Sequence, residues 1–360
     1  MNGQGEFAAR RENLLVGLQE SRAQAFLSTS LPNVRYLSGF TGSNAALLIT
    51  AERALLFTDP RYQAQAPNQS DCDVKIAKGP LTKEVTKWIK RLKLKRVAFE
   101  QNRISFDEHR QLAEAAAPAR LHPISDAVEH LRRVKSSAEV AMIRASVQVN
   151  SAALYEALQR FKPTMTEIDL AAEIEYRMRR LGAEGTAFET IVASAARSAL
   201  PHARPTNNPI ASDQLLLVDM GARVAGYCSD MTRTHVIGKL NPKMRRMYRA
   251  VLESQLAAVN EVRPGVTCAA VDRAARDVLR GFGFDKLFIH STGHGLGLEI
   301  HEAPRVGRKE RTKLEPGMVI TIEPGVYLEN LGGIRIEDTV AVTSSGCEVL
   351  TPTDKELAIL

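Results

Sequence analysis

The sequence is poor in cysteine and has no long apolar run. Its four cysteines include no CxxC pair and are too sparse for a disulfide framework. The first residues, MNGQGEFAARREN, lack the apolar core of a signal peptide, and no stretch reaches the length that a membrane-spanning helix needs. We therefore expect a soluble protein of the reducing cytoplasm that does not associate with membranes.

A strong excess of charge of one sign is also missing. Lysine and arginine number 48 against 41 acidic residues, and the formal net charge of +7 is mild for 360 residues. Basic residues bunch at Lys87–Arg96 and Lys243–Arg249, but they alternate with apolar residues at helical spacing and are not interleaved with aromatics. These stretches indicate solvated helix faces, so we predict no nucleic-acid binding.

The length of the chain suggests two domains. Helix and strand patterns alternate through the first part, which predicts a small α/β domain over residues 1–130. Its glycine-rich loop, Ser38–Asn44, contains neither GxGxxG nor GK[ST], so we assign this domain a structural or assembly role. Leu121–Lys135 has a proline before a helix pattern and is the expected connection to a second domain, residues 131–360.

The second domain contains an internal repeat. Three residues that follow a long helix pattern recur at one constant displacement after a second long helix pattern. They are Pro163, Thr166 and Gly182, then Pro264, Thr267 and Gly283. Segments rich in β-forming residues follow the helices in both halves, at Thr190–Ser194, Leu215–Ile237, Leu287–His290, Val319–Glu323 and Gly333–Val342. We therefore predict duplicated α/β halves around a mixed or antiparallel sheet, with the helices on one side.

The segment Leu215–Ile237 has the pattern of a β-hairpin, and each arm contains one aspartate among apolar or small residues. Asp219 lies in LVDMGA and Asp230 lies in SDMTRT. A buried carboxylate without a partner costs several kcal/mol, so a cation, a proton or a metal ion must compensate it. A lone aspartate near a glycine more often belongs to a turn or a polar face, so other residues must decide.

Histidines and further acids follow downstream. The segment FIHSTGHGLGLEIHE contains His290, His294 and His301, and its glycines indicate backbone close to a ligand or a crowded centre. Glu323 ends the strand pattern of VITIEPGV. In GGIRIEDTV the period of two places Arg335 and Glu337 on one strand face, flanked by isoleucines on the other.

Four carboxylates and one imidazole therefore stand out. This set exceeds one zinc site, which uses three or four ligands rich in His and Cys. It suits two adjacent divalent ions, with Mn²⁺ favoured by ligand softness, and such pairs activate water for hydrolysis. The alternative is five residues that never meet. The five are Asp219, Asp230, His294, Glu323 and Glu337.

The motifs together resemble the pita-bread metallopeptidases of family M24, which include methionine aminopeptidase, aminopeptidase P, prolidase and creatinase. The similar segments are SALPHARPT, LVDMGA, GYCSDMTRT, STGHGLGLEIHE, TIEPGVY and GIRIEDT. YLSGFTGSNAALLIT and TDPRY resemble the N-terminal domain of the proline-specific branch. The resemblance implies an α/β (α+β) fold, with a small N-terminal α/β domain and a pita-bread catalytic domain around a curved sheet, in a homodimer.

The resemblance also implies roles for individual residues. The two metal ions, Mn²⁺ with Co²⁺ or Zn²⁺ as alternatives, would be bound by the five residues above, and Glu323 would also move the water proton. Small proline-containing peptides are the implied substrate. The implied catalytic or substrate-binding residues are His202, His290, His301, Arg335 and, in the proline pocket, Phe188. Ala195, Ala196 and Arg197 depart from the Gly, Pro or Asn common in relatives, which puts the conformation of that loop in doubt.

Four functions compete. The first is an Xaa-Pro aminopeptidase, and the second is an Xaa-Pro dipeptidase, or prolidase, which differs in what blocks the far side of the site. The third is a metal-free protein-binding module on the same fold, which the complete ligand set disfavours. The fourth, a creatinase-like amidinohydrolase, is disfavoured for the same reason, because that branch works without metal. We favour the aminopeptidase.

Overall fold

The computed structural model describes residues 3–239 and 241–360. The chain divides into two compact units, and the boundary between them in the sequence lies between Arg132 and Arg133. Among the described residues, no helix combines the length and the apolar character that crossing a bilayer requires.

The first unit contains one six-stranded sheet in the order β4-β3-β2-β1-β5-β6. Its central strands are buried along almost their whole length, as expected where helices cover a sheet. The strands are β1 (Ala25–Ser28), β2 (Ala45–Thr50), β3 (Ala54–Thr58), β4 (Asp73–Ile76), β5 (Arg96–Glu100) and β6 (Arg120–Ile124). The helices are α1 (Gly3–Gly17), α2 (Leu31–Ser38), α3 (Gln65–Gln69), α4 (Leu81–Arg91), α5 (Phe106–Ala116) and α6 (Ala127–Arg132).

Helix α2 was not predicted from LPNVRYLS. Its sequence signals are local ones at both ends: Pro32 lies in the first turn, where its missing N–H costs nothing, and Gly39 ends the helix at a φ of 76°. The following segment, which includes the predicted loop Ser38–Asn44, leads directly into β2.

The second unit is built from two helix pairs and several small antiparallel sheets. The helices are α7 (Ser137–Leu158), α8 (Glu167–Arg180), α9 (Pro242–Glu261) and α10 (Cys268–Gly281). The strands of the first half are β7 (Gly185–Thr186), β8 (Ile191–Ser194), β9 (Gln214–Met220), β10 (Ala222–Val224), β11 (Tyr227–Cys228) and β12 (Met231–Ile237). Those of the second half are β13 (Gly293–Gly295), β14 (Glu302–Val306), β15 (Val319–Ile322), β16 (Gly325–Leu328), β17 (Gly332–Arg335), β18 (Asp338–Val342) and β19 (Cys347–Val349).

The two halves repeat the same local devices. Thr166 and Thr267 are the N-cap residues of α8 and α10, and Gly182 and Gly283 follow those helices with positive φ angles of 100° and 77°. The pair α7 and α8 packs on β9 and β12, while α9 and α10 pack on the strands of the second half. The predicted duplication, with helices covering a curved set of antiparallel strands, is confirmed.

Three predicted strands differ in detail. Leu287–His290 is not a strand: a 3₁₀ turn at Asp285–Leu287 leads into irregular chain. The carbonyls of Phe288 and His290 accept hydrogen bonds from Arg276 of α10 instead of from a neighbouring strand. Gly333–Val342 is split into β17 and β18, which pair with β16 and β15 respectively. The hairpin is also interrupted, so that Asp230 lies between β11 and β12 rather than inside a strand.

The repeated caps give the first prediction. The Thr166 hydroxyl accepts from the Asp169 N–H and donates to the Asp169 carboxylate, whereas the Thr267 hydroxyl accepts from the N–H of Ala270, whose side chain offers no carboxylate in return. We expect Thr166→Ala to lower the free energy of unfolding by about 1 kcal/mol and Thr267→Ala to lower it by less, measured by urea unfolding. Serine at either position keeps the hydroxyl and is the control. An equal or larger loss at Thr267 would contradict the expectation.

Candidate metal centre

Three of the predicted ligands meet in the second unit. Asp230, His294 and Glu337 each place a ligand atom within 4.8 Å of the other two. They come from distant parts of the sequence: the residue before β12, the middle of β13, and the break between β17 and β18. The interruption of the hairpin and of the last predicted strand therefore occurs at two of the ligand positions.

Glu323 and Asp219 complete the group. The Nε2 atom of His294 lies 3.4 Å from Glu323 Oε1 and 3.5 Å from Asp230 Oδ2. Asp219, in β9, is held by Arg335 at 2.6 Å through one carboxylate oxygen, and its other oxygen is buried without a hydrogen-bond partner among residues 3–239 and 241–360. Besides burial, the charge of Asp219 raises the pKa of Asp230, Glu323 and Glu337, which shows that the four acids are close enough to interact electrostatically.

Two glycines allow these strands to approach. A side chain at Gly293 would collide with the backbone carbonyl of Thr321, so β13 could not lie against β15 as it does. A side chain at Gly221 would meet the carbonyl of Ser229 and the ring of Phe188. The second contact also places Phe188 against the hairpin that contains Asp219.

Asp230, Glu323 and Glu337 have raised pKa values. Burial, followed by the charge of the neighbouring carboxylates, raises the pKa of Asp230 and of Glu337 well above their ordinary values. Burial also raises the pKa of Glu323 to about 7, with Asp219 adding to the rise and Arg335 opposing it. A divalent cation would relieve this repulsion, because it favours the charged form of every acid around it.

His294 is held as a neutral imidazole with one nitrogen facing the acids. Burial lowers the pKa of His294, which favours the neutral imidazole, and its Nδ1–H donates to the Gly295 carbonyl at 2.9 Å. This bond fixes the tautomer in which Nε2, facing Asp230 and Glu323, has the free lone pair. The donor set, the unpaired Asp219 oxygen and the raised pKa values together fit one or more divalent cations.

Arg335 joins the acids to a tyrosine that the sequence analysis missed. Its guanidinium donates to Asp219, to the Thr232 hydroxyl at 3.0 Å and to the Tyr327 hydroxyl at 2.7 Å. The same Tyr327 hydroxyl lies 2.9 Å from His290 Nε2. The only local signal was its place in TIEPGVY, just after a ligand-bearing strand. Thr232, which donates to Glu337 at 2.6 Å, was missed as well.

The remaining predicted histidines lie at the edge of this centre. The rings of His294 and His301 are 4.4 Å apart between centroids, and His301 is exposed. His202 is exposed too. Burial lowers the pKa of His301, and the neighbouring His294 adds to the effect. Burial, with Arg335 adding to the effect, lowers the pKa of His290 to about 4, so its ring is neutral at neutral pH.

A buried pair on α10 positions the segment of His290. Asp272 and Arg276, one helical turn apart, form a salt bridge at 2.8 Å. Arg276 donates to the carbonyl of His290 at 2.6 Å, and Asp272 accepts from the Thr292 hydroxyl at 2.8 Å. The irregular chain between α10 and β13 is thereby tied to a helix instead of to a sheet.

The loop that contains His202 is anchored by a fully buried glutamate. Glu167, in the first turn of α8, accepts from the Ser194 N–H at 2.8 Å and from both the N–H and the hydroxyl of Thr206. Arg197 forms a salt bridge with the same carboxylate at 3.1 Å, and Ala195 adopts a positive φ of 55°. The residues that depart from the common pattern thus have a defined conformation, with Arg197 as an added anchor.

Known proteins match the chain over most of its length. The model of metallopeptidase family M24 matches residues 141–344, and that of the Creatinase/Prolidase N-terminal domain matches residues 10–134. An Xaa-Pro dipeptidase of Pyrococcus horikoshii is 36% identical over 94% of this chain and 96% of its own. Among solved structures, an Xaa-Pro dipeptidase from Bacillus anthracis is 38% identical, with a TM-score of 0.96 over 98% of this chain and 100% of that one. An X-Pro aminopeptidase from Thermotoga maritima is 36% identical, with a TM-score of 0.90 over 95% of this chain and 100% of that one.

The raised pKa of Glu323 predicts a pH dependence of the metal-free protein. The folded state holds this proton more tightly than the unfolded chain, whose ordinary value is 4.5, so the stabilisation is complete below that pH and is lost as the pH rises through about 7. In EDTA we expect wild type to lose up to about 3 kcal/mol of unfolding free energy relative to Glu323→Gln across this range. Urea unfolding at several pH values measures the difference.

The comparison with Glu323→Gln is needed because histidines act in the opposite direction. The pKa of His290 and that of His235 are both lowered to about 4 by burial, so these groups reduce stability as the pH falls below 6.5. Both are present in the variant, and their contribution cancels in the difference. Mn²⁺ at neutral pH should remove the deficit of wild type. A difference that does not change with pH would contradict the prediction.

The Glu167 anchor gives a third prediction. Glu167→Gln leaves buried donors without a full acceptor, so we expect a loss of about 1–3 kcal/mol and faster hydrogen exchange at the Ser194 and Thr206 amides. Glu189→Gln is the matched control, because Glu189 forms an exposed salt bridge with Arg204 in the same loop region and should contribute little. Equal exchange rates in the two variants would refute the anchoring role.

Proposed function

Because the chain belongs to metallopeptidase family M24 and is a hydrolase specific for Xaa-Pro bonds, we propose that it acts as an Xaa-Pro dipeptidase. The full-length similarity to proteins named Xaa-Pro dipeptidases supports this assignment over the aminopeptidase that the sequence favoured. The substrate in this proposal is a dipeptide with proline in the second position.

The protein is metal-dependent, and we propose that the centre holds two divalent ions. Four carboxylates exceed what one cation needs, and Mn²⁺ suits an oxygen-rich set with a single imidazole, with Co²⁺ and Zn²⁺ as alternatives. When bound, the ions supply a nucleophilic water at neutral pH and polarise the scissile carbonyl. The residues that would hold them are Asp219, Asp230, His294, Glu323 and Glu337.

The chain's own residues supply proton transfer and substrate binding in this proposal. Glu323, at the edge of the centre beside His294, accepts the proton of the attacking water and passes it to the proline nitrogen. His202 and His301 are exposed there and donate hydrogen bonds to the substrate carbonyl. Neutral His290 and the ring of Phe188 border an apolar position for the proline ring, which has no N–H to recognise.

Arg335 holds the residues of the centre in position. Its bonds to Asp219, Thr232 and Tyr327 tie the hairpin to β16 and to the ligand Glu337, whose carboxylate accepts from Thr232. Because the guanidinium is planar and its donors are fixed in direction, lysine at this position would keep the charge but not these three contacts.

A second candidate is the Xaa-Pro aminopeptidase, which accepts longer peptides. The similarity to the structure from Thermotoga maritima supports it. The two activities differ in what limits substrate length, often a loop or a partner subunit, and we propose a homodimer in which such a limit would arise. A metal-free binding module is the remaining alternative, and the assembled ligand set disfavours it.

Hydrolysis of Ala-Pro compared with Ala-Pro-Ala, after loading with Mn²⁺, tests the assignment. We expect turnover of the dipeptide alone, and loss of at least about a thousandfold in kcat/KM in Asp230→Asn, because that change removes a ligand carboxylate. Cleavage of both peptides at similar kcat/KM would reassign the protein to the aminopeptidase. No cleavage of either, with well under two ions bound per chain, would support the binding module.

A further inference from the structure

Lys135 and Glu302 form a buried ion pair that has no part in the proposed mechanism. The Nζ atom of Lys135 lies 3.2 Å from Glu302 Oε2, and the two side chains are only 1% and 7% exposed. The ammonium group also donates to the Arg133 carbonyl at 3.3 Å. A buried charge that loses its partner strongly destabilises a fold, so the two groups hold each other in place.

The ammonium group of Lys135 extends from a well-anchored stretch of backbone. The Lys135 N–H donates to the carbonyl of Gly317, just before β15, at 2.9 Å. The next residue, Ser136, is the N-cap of α7, and its hydroxyl accepts from the Glu139 N–H at 3.2 Å. The Glu139 carboxylate accepts from the Tyr227 hydroxyl at 2.9 Å. Lys135 is thus fixed relative to β15 and β11.

The carboxylate of Glu302 organises the turn between β13 and β14. Its Oε1 atom accepts from the Glu299 N–H at 3.1 Å. The Gly297 N–H donates to the Glu299 carbonyl at 3.0 Å, and the Gly297 carbonyl accepts from the Cys228 N–H at 2.7 Å. A side chain at Gly297 would collide with the Glu302 carboxylate. The turn is therefore folded around this carboxylate, whose charge Lys135 compensates.

This turn ends in one of the histidines that border the metal centre. His301 directly precedes Glu302, and its ring lies 4.4 Å from that of His294 between centroids. His301 is exposed, so burial does not fix its position. Gly295 and Gly297 in the same segment restrict the backbone little. The position of the His301 ring therefore depends on the contacts that hold the turn.

We propose that Lys135 is a positioning residue for peptide hydrolysis, which acts through Glu302 to hold His301 where it donates a hydrogen bond to the substrate carbonyl. This inference rests on the proposed function, in which His301 has that role. Lys135 itself contacts neither the substrate nor the metal ligands in this proposal. Because the hydrogen bond strengthens as charge develops on the carbonyl oxygen, loss of Lys135 lowers kcat more than it changes KM.

Lys135→Met tests the proposal without removing a group that touches the substrate. The variant leaves the Glu302 carboxylate without its cation, so we expect the turn to open and the Glu299 amide to exchange at least about tenfold faster than in wild type. With Mn²⁺ bound, we expect kcat for Ala-Pro to fall about ten- to hundredfold and KM to change less than about threefold. The number of ions bound per chain should equal that of wild type.

Combination with His301→Ala shows whether Lys135 acts through that histidine. In the His301→Ala background we expect Lys135→Met to lower kcat by less than about twofold, because the group that it positions is already missing. A lysine with a merely structural role would lower kcat by the same factor in both backgrounds. Arg144→Met is the matched control, because it breaks an exposed salt bridge between α7 and Glu348 and should leave kcat and the exchange at Glu299 unchanged.

Three results would overturn the proposal: equal factors in the two backgrounds, unchanged exchange at Glu299, or loss of bound metal in Lys135→Met, since the lysine would then support the metal centre. If wild type cleaves neither Ala-Pro nor Ala-Pro-Ala, the proposed function fails, and exchange at Glu299 alone decides whether Lys135 holds the turn. If Lys135→Met does not fold, Lys135→Met/Glu302→Gln, which leaves no unpaired charge, replaces it with the same outcomes expected.

Discussion

The mutual repulsion of four acids that share one centre is the constraint on which the second unit depends. Asp230 and Glu337 are nearly fully buried, and this burial raises the pKa of both; the charge of Glu337 adds to the rise for Asp230, and those of Glu323 and Asp219 add to it for Glu337. The surroundings compensate only in part: Arg335 pairs with Asp219, and Thr232 donates to Glu337. Such an arrangement opposes folding above the pKa of the acids unless a cation is bound. The protein therefore trades stability in its metal-free form for affinity toward multivalent cations, since binding to the folded state alone returns that free energy.

The fold meets this constraint by breaking its strands where the acids must converge. Side chains alternate between the two faces of a continuous β-strand. Acids from several regular strands therefore do not all point to one place unless some of the strands are interrupted. Asp230 lies in the gap before β12, and Glu337 lies in the gap between β17, which pairs with β16, and β18, which pairs with β15. The close approach of β13 to β15, which Gly293 allows, brings His294 to the same place. The interruptions of the strands are thus the features that bring these side chains together.

Much of the fold and of the centre could be read from the sequence, because the relevant signals are local. The alternation of helix and strand patterns predicted the α/β domain of the first unit, and the recurring Thr and Gly residues at the helix ends indicated the duplication. The prediction of a strand at Leu287–His290 was wrong. Its apolar residues are typical of a strand, but Arg276 of α10 donates hydrogen bonds to the carbonyls of Phe288 and His290, and Ile289 is 69% exposed. Glu167 and Tyr327 were missed for a related reason: Glu167 binds Ser194 and Thr206, and Tyr327 contacts His290, all far away in the sequence, and no local pattern predicts such contacts.

Protons could in principle neutralise the same acids, so the choice between protons and metal ions rests on the other members of the group. A protonated carboxyl group needs an acceptor for its hydrogen, yet one oxygen of Asp219 is buried with no partner among the described residues. His294 donates its Nδ1 hydrogen to Gly295 and turns the lone pair of Nε2 toward Asp230 and Glu323. A free lone pair and an unpaired carboxylate oxygen within the same group of acids are two acceptors without a donor. A cation satisfies both at once, which is why the same residues that strain the metal-free protein fit a divalent metal site.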